Sequence, residues 1–333
     1  MRALVVTAPG QVDLLDVAPP TPRADEVFVR PLIAGLCGTD LELIDGTIDA
    51  AYVRYPLTLG HEWVGRLQVA RDRALVEGDA VVVEGVIPDG TCPACRRGAT
   101  NLCATYDEIG FTRPGALGDL IAVPANLLHR LAPNVDLTDA ALTEPMAVVW
   151  RALGRINGVA GARCLVVGDG TVALLGAYLL RRLAPASVDV LGARPAQAPL
   201  ARAAGADRFL TTATADRYDV VVEAAGQGAA VQSALDAAAR GATIVLLGLP
   251  PHGTRVAVAP DSLVNDDLTL QGSFSYTRSA FGDVVRLLND GAVRPSFLAT
   301  HRFALASWAE AIATLRAVPA DQPRGKVLVD LTG

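Results

Sequence analysis

Lysine is almost missing from this chain. Lys326 is the only one in 333 residues, so catalysis through a lysine nucleophile or Schiff base has little to draw on. No uninterrupted apolar run approaches the ~18 residues that span a bilayer, although 51% of the chain is hydrophobic. The first residues, Met1-Arg2-Ala3-Leu4-Val5-Val6, alternate as a strand does and lack the pattern of a secretory leader, so a soluble, cytoplasmic protein is expected. Basic clusters are absent beyond short pairs such as Arg96-Arg97 and Arg181-Arg182. With a net charge of −6, that argues against nucleic acid as a partner. Cysteine is scarce and unevenly placed. Of five in all, three fall within residues 92 to 103, which suits a reducing compartment and metal binding better than a disulfide framework. Repeats and low-complexity segments are lacking too, and the length exceeds what one hydrophobic core usually supports, so two domains are expected.

What the chain does have is concentrated between residues 35 and 65. Cys37, His61 and Glu62 offer a thiolate, an imidazole and a carboxylate, the three ligand types that zinc accepts in a tetrahedral site. Three protein ligands leave one position open, as a catalytic metal needs if substrate oxygen is to reach it. Taken singly, Cys37 reads equally as a small buried apolar residue and His61 as a partner for a backbone carbonyl. Together, Gly35-Leu36-Cys37-Gly38-Thr39-Asp40 and Gly60-His61-Glu62 resemble the catalytic-zinc signature of the medium-chain, zinc-dependent alcohol and polyol dehydrogenases. The resemblance runs the whole length of the chain. It implies a barrel-like, GroES-like, β-rich catalytic domain in residues 1–149 and 279–333, and a doubly wound parallel-sheet Rossmann domain in 150–278.

Other residues acquire roles from it. Thr39 or Asp40 serves as the N-cap of a helical turn through Leu41-Glu42-Leu43-Ile44, ended by Asp45-Gly46. In the family, Thr39 would instead take the proton of the bound alcohol and Asp40 would orient His61. Glu144, in a helix running from Leu137 through Leu153, stands where relatives place a further group beside the metal; it replaces Glu62 or bonds the metal's water. A second pattern, Asp89, Cys92, Cys95 and Cys103, resembles the structural-zinc lobe with aspartate in the first ligand position. Zinc accepts that oxygen; the alternative is a decayed site.

From Arg163 an apolar strand runs into Gly168-Asp169-Gly170-Thr171-Val172-Ala173 and a helix, the arrangement that seats a dinucleotide pyrophosphate on a helix N-terminus. The nicotinamide end is expected along later strand ends, near Ala225, Gly248, Leu249 and Ser273. After the second strand stand Gly192 and Arg194. Glycine removes the acid that an NAD enzyme uses on the ribose, and Arg194 matches a 2′-phosphate, so the expected cofactors are zinc and NADP, and Gly192→Asp is expected to turn preference towards NAD. Arg194 as an ordinary solvated arginine is the alternative. The resemblance thus implies hydride exchange between NADP and a secondary alcohol of polyol, sugar or cyclitol type. The competing readings are a zinc-free quinone or enone reductase and a noncatalytic NADP(H)-binding protein. An apolar strand at Leu268–Gly272 implies a homodimer or homotetramer.

Overall fold

The computed structural model describes residues 1–69 and 75–332. The chain opens with strands β1 (Arg2–Ala8), β2 (Gln11–Asp16) and β3 (Glu26–Leu36), then helix α1 (Gly38–Asp45). Strands β4 (Leu57–Thr58), β5 (Glu62–Leu67), β6 (Ala80–Val83) and β7 (Val86–Ile87), helix α2 (Pro93–Arg96) and strands β8 (Asp107–Glu108), β9 (Ile121–Pro124) and β10 (Leu128–Arg130) follow. After helices α3 (Leu137–Ala140) and α4 (Thr143–Leu153) comes an alternating run: β11 (Arg163–Val167), α5 (Thr171–Leu180), β12 (Ser187–Leu191), α6 (Ala198–Ala203), β13 (Arg208–Leu210) and β14 (Tyr218–Glu223). It continues through α7 (Gly228–Asp236), β15 (Ala238–Leu246), α8 (Pro260–Asn265) and β16 (Thr269–Gly272). The chain closes on α9 (Arg278–Asn289), β17 (Ala299–Ala304), α10 (Trp308–Arg316) and β18 (Lys326–Asp330).

These elements form two compact units. The first comprises Met1–Ala147, Thr277–Val318 and Lys326–Gly333; the second comprises Val148–Tyr276 and takes in Pro319–Gly325. In the first, the main sheet runs β10-β6-β5-β3-β18-β17, with β9 also paired to β3. β3 is its spine and is buried along most of its length, which its run of Val, Ile, Leu and Ala permits. Pro31 cannot donate a ladder bond, and the register with β5 shifts between Pro31 and Ile33 accordingly. Beyond that shift Gly35 lies opposite Glu62, while on the other side Leu36 lies opposite Val327. Register alone therefore brings residues 62 and 326 to either flank of the end of β3, just before Cys37.

The second unit is a six-stranded parallel sheet in the order β13-β12-β11-β14-β15-β16. The order reverses direction beside β11, the switch point where α/β sheets bind ligands. One connection departs from strict strand–helix alternation: residues 211–217, between β13 and β14, carry no helix. Over the missing helix lies an apolar groove of about 260 Å³ against Leu165, Leu191, Leu210 and Tyr218.

The helix expected to run unbroken from Leu137 to Leu153 is two helices. Pro145 has no N–H to continue the ladder, and the Thr143 hydroxyl instead donates to the Ala140 carbonyl at 2.6 Å, closing the break.

Candidate active site

The N-cap of α1 is Cys37, not Thr39 or Asp40, which lie within the first turn. Asp40 still does capping work from inside the helix, since its Oδ2 accepts the Cys37 backbone N–H at 2.9 Å. That bond fixes the cysteine. Its Sγ lies 3.1 Å from His61 Nε2, and the ligand atoms of Cys37, His61 and Glu62 all fall within 4.8 Å of one another. Behind the imidazole, His61 Nδ1 faces Asp40 Oδ1 at 3.5 Å, and neither atom has another hydrogen-bond partner among the described residues. Both residues are buried.

This arrangement fits zinc on its own chemistry. A metal on Nε2 leaves the proton on Nδ1, where Asp40 waits to accept it, which is the support that metal-bound imidazoles commonly have. Burial works against a charged His61, but Cys37 and Asp40 outweigh it and raise its pKa well above the usual value. The cluster thus already attracts positive charge. Thr39, half-buried, stands on the same first turn.

The single lysine belongs to the site. Lys326, buried from β18, pairs with buried Glu62 and donates to the Leu36 carbonyl at 3.3 Å. Gly35 has no room for a side chain, because a Cβ there would run into the Glu62 carboxylate. Glu144 falls outside the three-residue ligand cluster, although Glu62, His61, Lys326 and Glu108 all act on it electrostatically. Burial first, and then the Glu62 carboxylate, push it up to about 8. Glu108 of β8 is a residue that sequence reasoning missed; burial pushes it up to about 7, opposed by His61. No motif marks it, because it reaches the site only through the fold.

Asp89, Cys92, Cys95 and Cys103 also converge within 4.8 Å. Asp89 Oδ1 accepts the backbone N–H groups of Thr91 at 2.7 Å and Cys92 at 2.9 Å, and Oδ2 accepts the Thr105 hydroxyl at 2.9 Å. Those bonds, that from Cys92 first, hold its carboxyl well below the usual range. Cys92 is lowered to about 7, chiefly by the Cys95 N–H, while desolvation pushes Cys95 up to about 12. One ready thiolate, one firmly ionised carboxylate and two further thiols make a donor set that fits zinc.

In the second unit, Gly168 adopts φ +128°, and a Cβ there would meet the Ala224–Ala225 backbone at 3.0 Å. Gly170, the N-cap of α5, faces open space and supplies no side-chain cap, leaving the helix amides before Thr171 and Val172 to a ligand oxygen. Buried Glu223, also missed from sequence, accepts the N–H groups of Ala225 and Gly226 at 2.8 Å each, which holds the turn beyond β14. Gly248 and Leu249 close against Gly226 with no space for a Cβ at either glycine. Ser273 Oγ accepts from Arg151 at 3.0 Å.

The region around Gly192 overturns one expectation. A Cβ on Gly192 would meet Asp169 Cβ at 2.5 Å and Phe209 at 2.8 Å, so aspartate does not fit there and Gly192→Asp is no clean switch of cofactor. Arg194 is not simply solvated either, because it is bound to Asp169.

Residues 23–133 match the alcohol dehydrogenase GroES-like domain, and residues 171–290 match the zinc-binding dehydrogenase domain. The chain is 30% identical to an L-threonine 3-dehydrogenase of Saccharopolyspora erythraea, with 100% of this chain and 99% of the relative covered. It is 29% identical to a D-altritol 5-dehydrogenase of Agrobacterium fabrum, covering 92% and 93%. A solved structure described as a zinc-binding dehydrogenase from Sinorhizobium meliloti bound to NADP superposes with a TM-score of 0.90 at 26% identity, covering 99% of this chain and 98% of that one. Among the described residues, no helix is long and apolar enough to cross a membrane.

Proposed function

This chain belongs to the medium-chain, zinc-dependent alcohol and polyol dehydrogenases, and from that premise we propose that it exchanges a hydride between NADP and a secondary alcohol of polyol, sugar or cyclitol type, giving a ketone or lactone. The observation that carries the reading is the convergence of Cys37, His61 and Glu62, with Asp40 behind the imidazole. Zinc held by these three would act as a Lewis acid that lowers the pKa of a substrate hydroxyl, and NADP in the second unit would take the hydride.

The protein's own part is positioning and proton handling. Asp40 fixes the ring of His61 and, through the Cys37 N–H, the start of α1. Thr39 on that same turn receives the substrate proton and passes it towards solvent. Lys326 neutralises Glu62 where two carboxylates and a thiol crowd one buried space. Glu144, pushed up to about 8 by burial and by Glu62, supplies a further carboxyl beside that space. Glu108 adds an acceptor at the edge of that space, which suits a substrate with several hydroxyls better than a simple alcohol. The D-altritol 5-dehydrogenase among the relatives supports that class, and the L-threonine 3-dehydrogenase supports only a secondary alcohol. We assign the second cluster, Asp89 with Cys92, Cys95 and Cys103, to a structural zinc. In the second unit the turn at Gly168, Gly170, Thr171 and Val172 holds the pyrophosphate, and Gly192 and Arg194 border the adenosine ribose. Ala225, Gly248, Leu249 and Ser273 border the nicotinamide half.

The test is a panel of polyols, sugars and cyclitols with NADP and with NAD, followed at the nicotinamide absorbance, alongside metal analysis. Turnover of a polyhydroxylated secondary alcohol with NADP, lost on metal removal, is the expected result. Activity that survives removal of all metal would point to the enone reductase instead.

A further inference from the structure

Gln197 ends a single helical turn, Pro195–Gln197, and is fully buried although its side chain carries an amide. Both polar atoms of that amide are engaged. Nε2 donates to the Asp169 carbonyl at 2.6 Å and to the Arg324 carbonyl at 2.9 Å, and Oε1 accepts the Arg324 backbone N–H at 2.7 Å. The amide thus pairs with both main-chain groups of one residue, as a neighbouring strand would, across 127 positions of chain. A buried amide left unpaired is costly, so a bridge with every partner matched is exacting about where those partners lie.

Both ends of the bridge lead to groups with chemistry. The Asp169 carbonyl shares one rigid peptide plane with the N–H of Gly170, the N-cap of α5. A phosphate oxygen that engages the start of α5 therefore orients and polarises the carbonyl that Gln197 holds. At the other end, Arg324 lies in Pro319–Gly325, which groups with the second unit while the chain on either side belongs to the first. Two residues on is Lys326, where β18 begins. Its buried ammonium pairs with Glu62 and donates to the Leu36 carbonyl at 3.3 Å. Two residues of extended chain span at most about 7 Å, which leaves little slack for Lys326 to ignore a shift of Arg324. Each bond in the series lies within one unit, and the chain itself joins them.

Resting on the NADP reading above, we propose that Gln197 is a positioning residue that couples occupancy of the glycine turn to the placement of Lys326, the counter-ion of Glu62. With the turn filled, the stronger bond at the Asp169 carbonyl fixes the amide, the amide fixes the main chain of Arg324, and the start of β18 follows. The ion pair beside Cys37 and His61 is then set once the nucleotide is in place. Such coupling is reciprocal, so a fixed β18 favours the nucleotide by the same factor.

The test uses the purified full-length protein and 2′-phospho-ADP-ribose, the part of NADP that lacks nicotinamide. Calorimetry measures its binding, and amide hydrogen exchange is followed over β18 and, as a reference within the nucleotide-binding sheet, over β14. In the wild type the ligand is expected to slow exchange over β18 by about 5-fold or more. Gln197→Met, close in size and without an amide, should still bind the ligand and slow β14 as the wild type does, yet lose the slowing of β18. Slowing of β18 kept in that variant, or none in wild-type protein that binds the ligand, overturns the inference and leaves the NADP reading standing. Loss of the slowing over β14 and β18 alike shows a structural role and also overturns it. Where Gln197→Met fails to fold, Gln197→Asn decides: one carbon shorter, it cannot hold Asp169 and Arg324 together, and slowing of β18 kept there overturns the inference. A wild type that does not bind the ligand takes the NADP reading and this inference down together.

Discussion

At the scale of single residues, the site turns on what stands behind the ligands. His61 is held between Cys37 and Asp40, so removing its imidazole removes a donor and strands a buried carboxylate. Lewis acidity at a reacting oxygen is worth several kcal/mol, so His61→Ala should lose the catalytic zinc and lower kcat by about 10³-fold or more, with the fold retained. Elemental analysis, kinetics and circular dichroism on the same preparation check this, and an active His61→Ala enzyme would refute the zinc assignment. Gly192 makes a different point. Where the glycine was read as the absence of an acid, its neighbours show it as the absence of space, since Asp169 and Phe209 fill the volume of any Cβ. Overpacking of this kind costs about 1–3 kcal/mol, so even Gly192→Ala should shift the urea midpoint down, whatever cofactor is bound. A variant as stable as the wild type would show that the turn relaxes freely.

At the scale of elements, the sequence is informative wherever a function needs adjacent residues. Strand, glycine turn and helix follow one another from Arg163 to Leu180 because a pyrophosphate site demands that order locally. Long-range register is not written that way. Lys326 reaches Glu62 only because β3 lies between β5 and β18, and Arg324 reaches Asp169 only through Gln197. Glu108 is hidden for the same reason, since nothing beside it in the chain marks it, whereas Glu223 holds the amides of Ala225 and Gly226 just after it and goes unmarked because no motif advertises that turn. Cap position was misread for a local reason, since cysteine is a rare N-cap and Asp40 reaches back from inside the turn. The segment from Asp89 to Cys103 has little regular structure, one helical turn at α2 and a second single turn at Thr100–Leu102. A metal there would supply much of its order, so native protein is expected to carry two zinc ions per chain. The aspartate oxygen is a harder donor than thiolate, and this ion should leave to a chelator more readily than an all-cysteine site would allow. Alkylation then reports it: Cys92 and Cys95 should be protected before chelation and modified after it, and free alkylation of the untreated protein would rule the site out.

At the scale of the whole molecule, the second unit ends its sheet on β16, which among the described residues is paired only through β15. An edge strand with exposed backbone groups is a template for another strand, and natural proteins shorten it, charge it or cover it. Here the sequence Thr269-Leu270-Gln271-Gly272 carries no charge and no proline. Two side-chain bonds decorate it, from Arg155 to the Gly272 carbonyl at 2.6 Å and from Gln271 to the Arg155 carbonyl at 3.0 Å, but neither engages Leu270. The same unit also exposes two large apolar side chains outside the proposed cofactor site, Val264 at 78% and Phe274 at 51%. Pairing of β16 with its own symmetry mate covers an edge with an identical edge, which a twofold axis allows, so a homodimer, or a tetramer built from such dimers, is expected. Leu270→Pro interrupts that pairing at some cost in packing, since Leu270 rests against the core of the second unit, and light scattering with circular dichroism should then show the wild-type oligomer replaced by folded monomer. Wild-type protein that scatters as a monomer at assay concentration, or a proline variant that keeps the full assembly, would place the interface elsewhere.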